Sequence, residues 1–278
     1  MLTVIPSTRT GRWKQRLDRV PPWGWLALQA GALWVHWRWA AARLAVGSDD
    51  PLGVVALVVL VLAIGRLAPS LRSHPRASWL APALGLSVAS TVAVFAAPPL
   101  AGALLAALAL GCGLAAFMPP QRPVLPLAGL MVLALPVVSS LQFYAGYPLR
   151  LVTAQASTWL LQAGGWAATR SGTAMLVDGH LVIVDAPCSG IQLAWMAWLC
   201  ACTVGAFGPG DDRRWLRRLP WIGLLVLAGN VVRNSVLVVL EARGDVSDAV
   251  HEAIGLAVLA AVCAAVIGVM RGGRDARA

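Results

Sequence analysis

The sequence has little charge. Only 12% of its 278 residues are Asp, Glu, Lys or Arg, about half of the ~25% usual in a soluble domain. Lys14 is the single lysine. There is no Gly-x-Ser-x-Gly elbow and no His-Glu-x-x-His helix, which removes the common serine-hydrolase and zinc-protease signatures. No histidine and cysteine cluster has metal-ligand spacing. No internal repeat appears, inverted or otherwise, so the paired-halves pattern of many transporters is missing. No low-complexity linker divides the chain, which reads as one domain.

What the sequence has is hydrocarbon. Hydrophobic residues make up 59% and the mean hydropathy is +0.74. A net charge of +10 and a pI near 10.9 can accompany nucleic-acid binding. Here the arginines lie in short clusters between apolar runs, so no soluble basic face exists for nucleic acid. Four of the five cysteines, Cys112, Cys200, Cys202 and Cys263, sit inside apolar runs and behave as small hydrophobes. Cys200 and Cys202 are two apart and do not share a helix face.

A helix needs about 20 apolar residues to cross ~30 Å of hydrocarbon. Runs of that kind fall near 22–46, 51–68, 78–96, 99–118, 123–143, 189–208, 219–241 and 252–270. The expected fold is therefore an all-α polytopic membrane protein with about eight transmembrane helices. Residues 1–21 form a basic leader, 22–143 five helices, 144–187 an outer segment, 188–270 three more helices and 271–278 a tail. The first run contains His36 and Arg38 and lacks a small-x-small cleavage site, so it reads as a retained helix rather than a signal peptide.

Arginine placement orients the chain. The leader, Arg72 and Arg76, Arg122, the cluster Arg213–Arg214–Arg217–Arg218, and Arg271, Arg274 and Arg277 fall on one side if eight helices alternate. The other side holds only Arg150, Arg170 and Arg243. Both termini are expected in the cytoplasm of a bacterial-type inner membrane. Trp23, Trp25, Trp79, Trp215 and Trp221 lie near predicted helix ends, where indole rings favour the interface. Trp195 and Trp198 lie within helices and pack.

The outer segment has its own pattern. Residues 147–166 read as an amphipathic helix, with Leu149, Val152, Ala156, Leu160 and Ala163 near one face. Two short runs, 173–177 and 180–184, flank Asp178-Gly179, a type I′ hairpin signal. The second run leads directly to Cys188.

Three groups then converge on that outer side. Cys188 lies in Ala-Pro-Cys-Ser-Gly-Ile at the expected start of the sixth helix, where helix N–H groups favour a thiolate and an oxyanion. A buried structural thiol is the competing reading, with Ser189 as a simple cap. Arg233 lies in Gly-Asn-Val-Val-Arg-Asn inside the seventh helix. A mid-membrane arginine faces a polar cavity or partner, unless it snorkels to the interface. Asn230 shares a helix face with both Arg233 and Asn234. His251 opens the eighth helix and is the expected base or acid beside a thiolate, against an exposed or capping role. His180 on the hairpin is a rival base. Asp185 or Glu252 could orient His251, or merely complement helix N-termini.

The order and spacing of Cys188-Ser189-Gly190-Ile191, Asn230 and Arg233, and His251 with Gly255, preceded by a hairpin, resemble the exosortase/archaeosortase family. The resemblance implies a polytopic cysteine peptidase and transpeptidase. Such enzymes cleave C-terminal sorting signals of exported proteins, built as a short motif, a transmembrane helix and a basic tail, the PEP-CTERM type being best known. It implies Cys188 as nucleophile, Arg233 and His251 as the other catalytic residues, and support from Asn230, Asn234, Ser189 and Gly190. It implies no metal and no cofactor. The partners would be exported substrates and a lipid or surface acceptor, with no nucleic acid. The chain departs in lacking the C-terminal soluble domain of some members, and Pro187 and Gln192 flank the cysteine where others often differ. A transporter, a different membrane enzyme or a non-enzymatic assembly factor are the alternatives; none accounts for a hairpin that delivers a cysteine to a helix.

Overall fold

A computed structural model describes residues 20–45, 52–184, 186–244 and 246–272. Most of the basic leader, the Ser48-Asp49-Asp50 loop, Asp185 and most of the tail lie outside them. The protein is an all-α membrane bundle carrying one small sheet.

The first run is two helices, α1 (Pro22–Ala32) and α2 (Trp34–Ala45). They meet at Leu33, and polar residues flank the break. Gln29 Nε2 donates to Ala109 O at 3.0 Å and to Ser87 Oγ at 3.2 Å. His36 Nε2 lies 2.7 Å from Ser90 Oγ, which donates to Gly102 O at 3.0 Å. A buried histidine inside an apolar run is thus a satisfied structural group. Arg38 stacks on the Trp34 ring at 5.0 Å.

Next come α3 (Leu52–Leu67), α4 (Ala77–Ala96) and α5 (Pro99–Phe117). The buried face of α5 is built from small residues, among them Gly102, Ala103, Ala106 and Ala109. Small side chains let membrane helices approach closely, where dispersion rather than hydrophobicity holds them. Helix α6 (Leu125–Leu133) is short. Pro136 follows it, and α7 (Val138–Ala163) leaves at 93°. Proline removes an amide donor and clashes with the preceding turn, which ends α6.

Helix α7 runs unbroken through the expected boundary at residue 143, so no separate amphipathic helix begins there. The apolar stripe faces outward: Leu149, Val152 and Leu160 are 37%, 49% and 46% exposed. The inward face carries Thr153, Ala154, Ser157 and Thr158.

A three-stranded antiparallel sheet follows, β1 (Ala168–Ser171), β2 (Ala174–Val177) and β3 (His180–Ile183), in that order. Val177 pairs with His180 across Asp178-Gly179, whose φ values of 48° and 87° are both positive, as a type I′ turn requires. Met175, Val177 and Val182 point inward with Ala154, Leu161 and Val238, making a second core that also holds Cys188.

Three helices complete the bundle: α8 (Ile191–Phe207), α9 (Asp212–Arg243) and α10 (Asp248–Arg271). The arginine-bearing ends meet. Arg218 donates to Met270 O and Gly272 O, and Arg214 to Gly272 O. Asp212 accepts from Val124 N and Leu125 N at 2.8 and 2.9 Å. Trp215 is buried in this region, not interfacial, and its indole donates to Ala201 O at 3.2 Å.

Among the described residues five helices are long and apolar enough to cross a membrane: α3 with its following turn, α4, α5, α9 and α10. The bent pair α6–α7 makes six if taken as one span. The sequence predicts eight. The difference lies in α1–α2, divided at Leu33, and in α8, whose 17 residues rise only ~26 Å at 1.5 Å each.

Candidate active site

The site is assembled where α7, the turn before α8, α9 and α10 meet. Cys188 is not at the start of α8. It lies in a 3-10 turn, Ala186–Ser189, and α8 begins at Ile191 after Gly190. Gly190 has φ +78°, a left-handed conformation that breaks the helix before it reaches the cysteine. A Cβ at Gly190 would lie 2.8 Å from Asn230 Cγ, so glycine is needed for space as well. The reason the helix start was misplaced is that Ser-Gly reads as a cap in sequence, whereas the glycine itself is the cap. Cys188 and Ser189 are buried, at 7% and 5% exposure.

Asn230 positions this turn. Its Nδ2 donates to the Cys188 carbonyl oxygen and to Thr153 Oγ1, both at 2.9 Å. Asn230 is 3% exposed and its Oδ1 has no partner among the described residues. One turn on, Asn234 Nδ2 donates to Ser157 Oγ at 3.0 Å and approaches Met175 Sδ at 3.7 Å. Ser157 in turn donates to Val231 O at 3.3 Å. Two asparagines four apart on α9 thus meet two hydroxyls four apart on α7. In a dry seam each such bond replaces an unsatisfied polar group costing ~1–3 kcal/mol. Ser189 Oγ donates to Gln142 Oε1 at 2.9 Å, a further tie from the turn to α7.

Arg233 lies three residues beyond Asn230 on α9. Its Nη2 is 3.3 Å from His251 Nε2 on α10. A guanidinium only donates, so Nε2 accepts and the imidazole proton resides on Nδ1. Gly255 packs against this guanidinium, and a Cβ there would meet Arg233 Nε at an ordinary 3.5 Å. At Gly229 a Cβ would meet Val262 Cγ2 at 2.5 Å, so α9 and α10 approach closely just before the site.

One turn of α9 therefore touches Cys188 through Asn230 and His251 through Arg233. Beside it lies a cavity of about 370 Å³ between α3, α8, α9 and α10, with Arg233 and Glu252 in its wall. His180 is exposed on β3. Thr153, Ser157 and Gln142 were not singled out in the sequence. Their signal was available in the Thr153-x-x-x-Ser157 spacing, which matches that of Asn230 and Asn234.

This arrangement can support acyl transfer. It offers a thiol on a rigid turn, a fixed cation for a developing oxyanion and an imidazole for proton transfer.

The comparisons with known proteins place the chain at the level of family. Neither a search of curated proteins nor one of solved structures found a match. A family model described as transmembrane exosortase matches residues 24–268, a range that runs from within α1 to within α10 and includes all the site residues described above. The chain belongs to the transmembrane exosortase family.

Proposed function

We propose that this protein is a membrane cysteine transpeptidase that cleaves PEP-CTERM-like sorting signals from exported proteins and transfers them to a lipid or surface acceptor. The observation that carries this is the pair of contacts made by one turn of α9, Asn230 to Cys188 and Arg233 to His251.

Arg233 turns from His251 to the substrate carbonyl, which frees Nε2 to take the Cys188 proton, and the thiolate attacks the scissile carbonyl carbon. Arg233 compensates the negative charge on the tetrahedral oxygen. The C–N bond breaks, His251 returns the proton to the leaving amine, and a thioester remains. The acceptor nucleophile then gives its proton to His251 and displaces the sulfur, which leaves the acyl group on the acceptor and regenerates the thiol. Water in place of the acceptor gives hydrolysis. Asn230, Ser189 and Gly190 hold the cysteine turn, and Asn234 braces α9 against α7.

The broken α1–α2 and the short α8 complete eight crossings in this proposal, with both termini in the cytoplasm of the inner membrane. The clustering of Arg214 and Arg218 with the end of α10 supports that orientation, since cytoplasmic ends concentrate arginine. The active site then faces outward, at the N-terminal ends of α8 and α10. An enzyme and a substrate each held by a helix in one bilayer meet in two dimensions.

The test is a processing assay. The protein is co-expressed with an exported carrier ending in a short motif, an apolar helix and an arginine-rich tail, and carrier size is followed by immunoblot. Wild type shortens the carrier. Cys188→Ala, Arg233→Ala and His251→Ala, each shown to insert, leave it full length. Processing by Cys188→Ala would remove the nucleophile and the proposal with it.

A further inference from the structure

The cavity beside Arg233 has a polarity gradient. Gln192 and Glu252 lie at its head, on the first turns of α8 and α10. Met196, Leu256 and Leu259 line it one to two turns further in. Leu256 is 59% exposed, so the cavity opens at the bundle surface. Its volume is about 370 Å³. A helical turn ~10 Å across with a pitch of ~5.4 Å occupies on the order of 420 Å³, the same order as the cavity, which has room for side chains of about one turn.

We infer that this cavity is the subsite for the first turn of the substrate's own membrane helix, on the leaving side of the scissile bond; this rests on the function proposed above. A helix that enters the membrane from outside presents its N-terminus at the outer face. That turn carries unpaired N–H groups and a partial positive charge. Glu252 is the acidic group that faces it. Arg233, whose guanidinium packs beside His251 and Gly255 on α10, is left to the scissile carbonyl upstream. Glu252 sets the direction of the entering helix, and the apolar floor takes the side chains that follow. Met196, Leu256 and Leu259 determine which side chains fit.

The experiment uses the full chain and the carrier substrate. A photo-crosslinking amino acid at position 256 in the Cys188→Ala variant captures the first turn of the carrier's apolar helix. The same probe at Leu84 or Val88, 67% and 63% exposed on α4, captures little. In the active protein, Leu256→Trp lowers processing of a carrier with leucines in that turn by about tenfold or more relative to one with alanines there. Equal capture from α4, or equal processing of both carriers by Leu256→Trp, overturns the subsite. Capture from position 256 without processing by the wild type refutes the transpeptidase instead and leaves the subsite standing. Processing without capture does the reverse.

Discussion

Asn230 is the most informative residue to alter, because it holds the nucleophile without touching the reaction. Asn230→Ala deletes two buried hydrogen bonds of 2.9 Å, to Cys188 O and Thr153 Oγ1. Each orphaned partner costs ~1–3 kcal/mol, so the folded protein loses roughly 2–6 kcal/mol. Only the Cys188 half displaces the thiol. If ~1.4 to 3 kcal/mol of that appears in the barrier, the rate falls about 10- to 150-fold. Asn234→Ala is the matched control. It removes one bond of similar length, to Ser157, at about half the cost to stability, and it leaves the cysteine turn anchored. The assay is carrier processing against time, with thermal stability measured in detergent on the same preparations. Asn230→Ala should be much slower than Asn234→Ala once each rate is scaled to the folded fraction. Equal rates for the two variants would refute the claim that Asn230 positions Cys188.

Three further outcomes follow from the same geometry. Gly190→Ala imposes a left-handed conformation costing ~1–2 kcal/mol and a 2.8 Å contact with Asn230; it should lower both the melting temperature and processing, whereas Gly255→Ala, with ordinary spacing to Arg233, should keep the melting temperature near wild type. Arg233→Lys keeps the charge but not the planar fork that reaches His251, and processing should fall by about 100-fold, as read by initial rates. Ser189→Ala removes the tie to Gln142 at ~1 kcal/mol and should slow processing several-fold with little change in insertion.

Much of this was legible in sequence because membranes punish exceptions. Asn230, Arg233 and Asn234 stand out in an apolar helix, and a polar group there must find a partner; the structure supplies Thr153, His251 and Ser157. The Asp178-Gly179 dipeptide carries its turn in the residue types themselves. Hydropathy could not show that α7 continues past residue 143, because an outward apolar stripe and an inward one have the same period. Nor could it show the break at Leu33, which has no proline or glycine beside it and depends on what Gln29 and His36 meet on α4 and α5. The start of α8 differs for a local reason: whether a Ser-Gly pair precedes or interrupts a helix depends on the sign of φ at the glycine, which is positive at Gly190 and which residue type alone does not set.

The central claim is that Cys188 forms a covalent acyl intermediate. Its most direct measurement is intact mass of the wild-type protein acid-quenched during turnover of the carrier. The account predicts an adduct with the mass of the carrier less its helix and tail, which hydroxylamine releases and which maps to the peptide containing Cys188. Processing by the wild type with no adduct at Cys188, or an adduct on another residue, would contradict it.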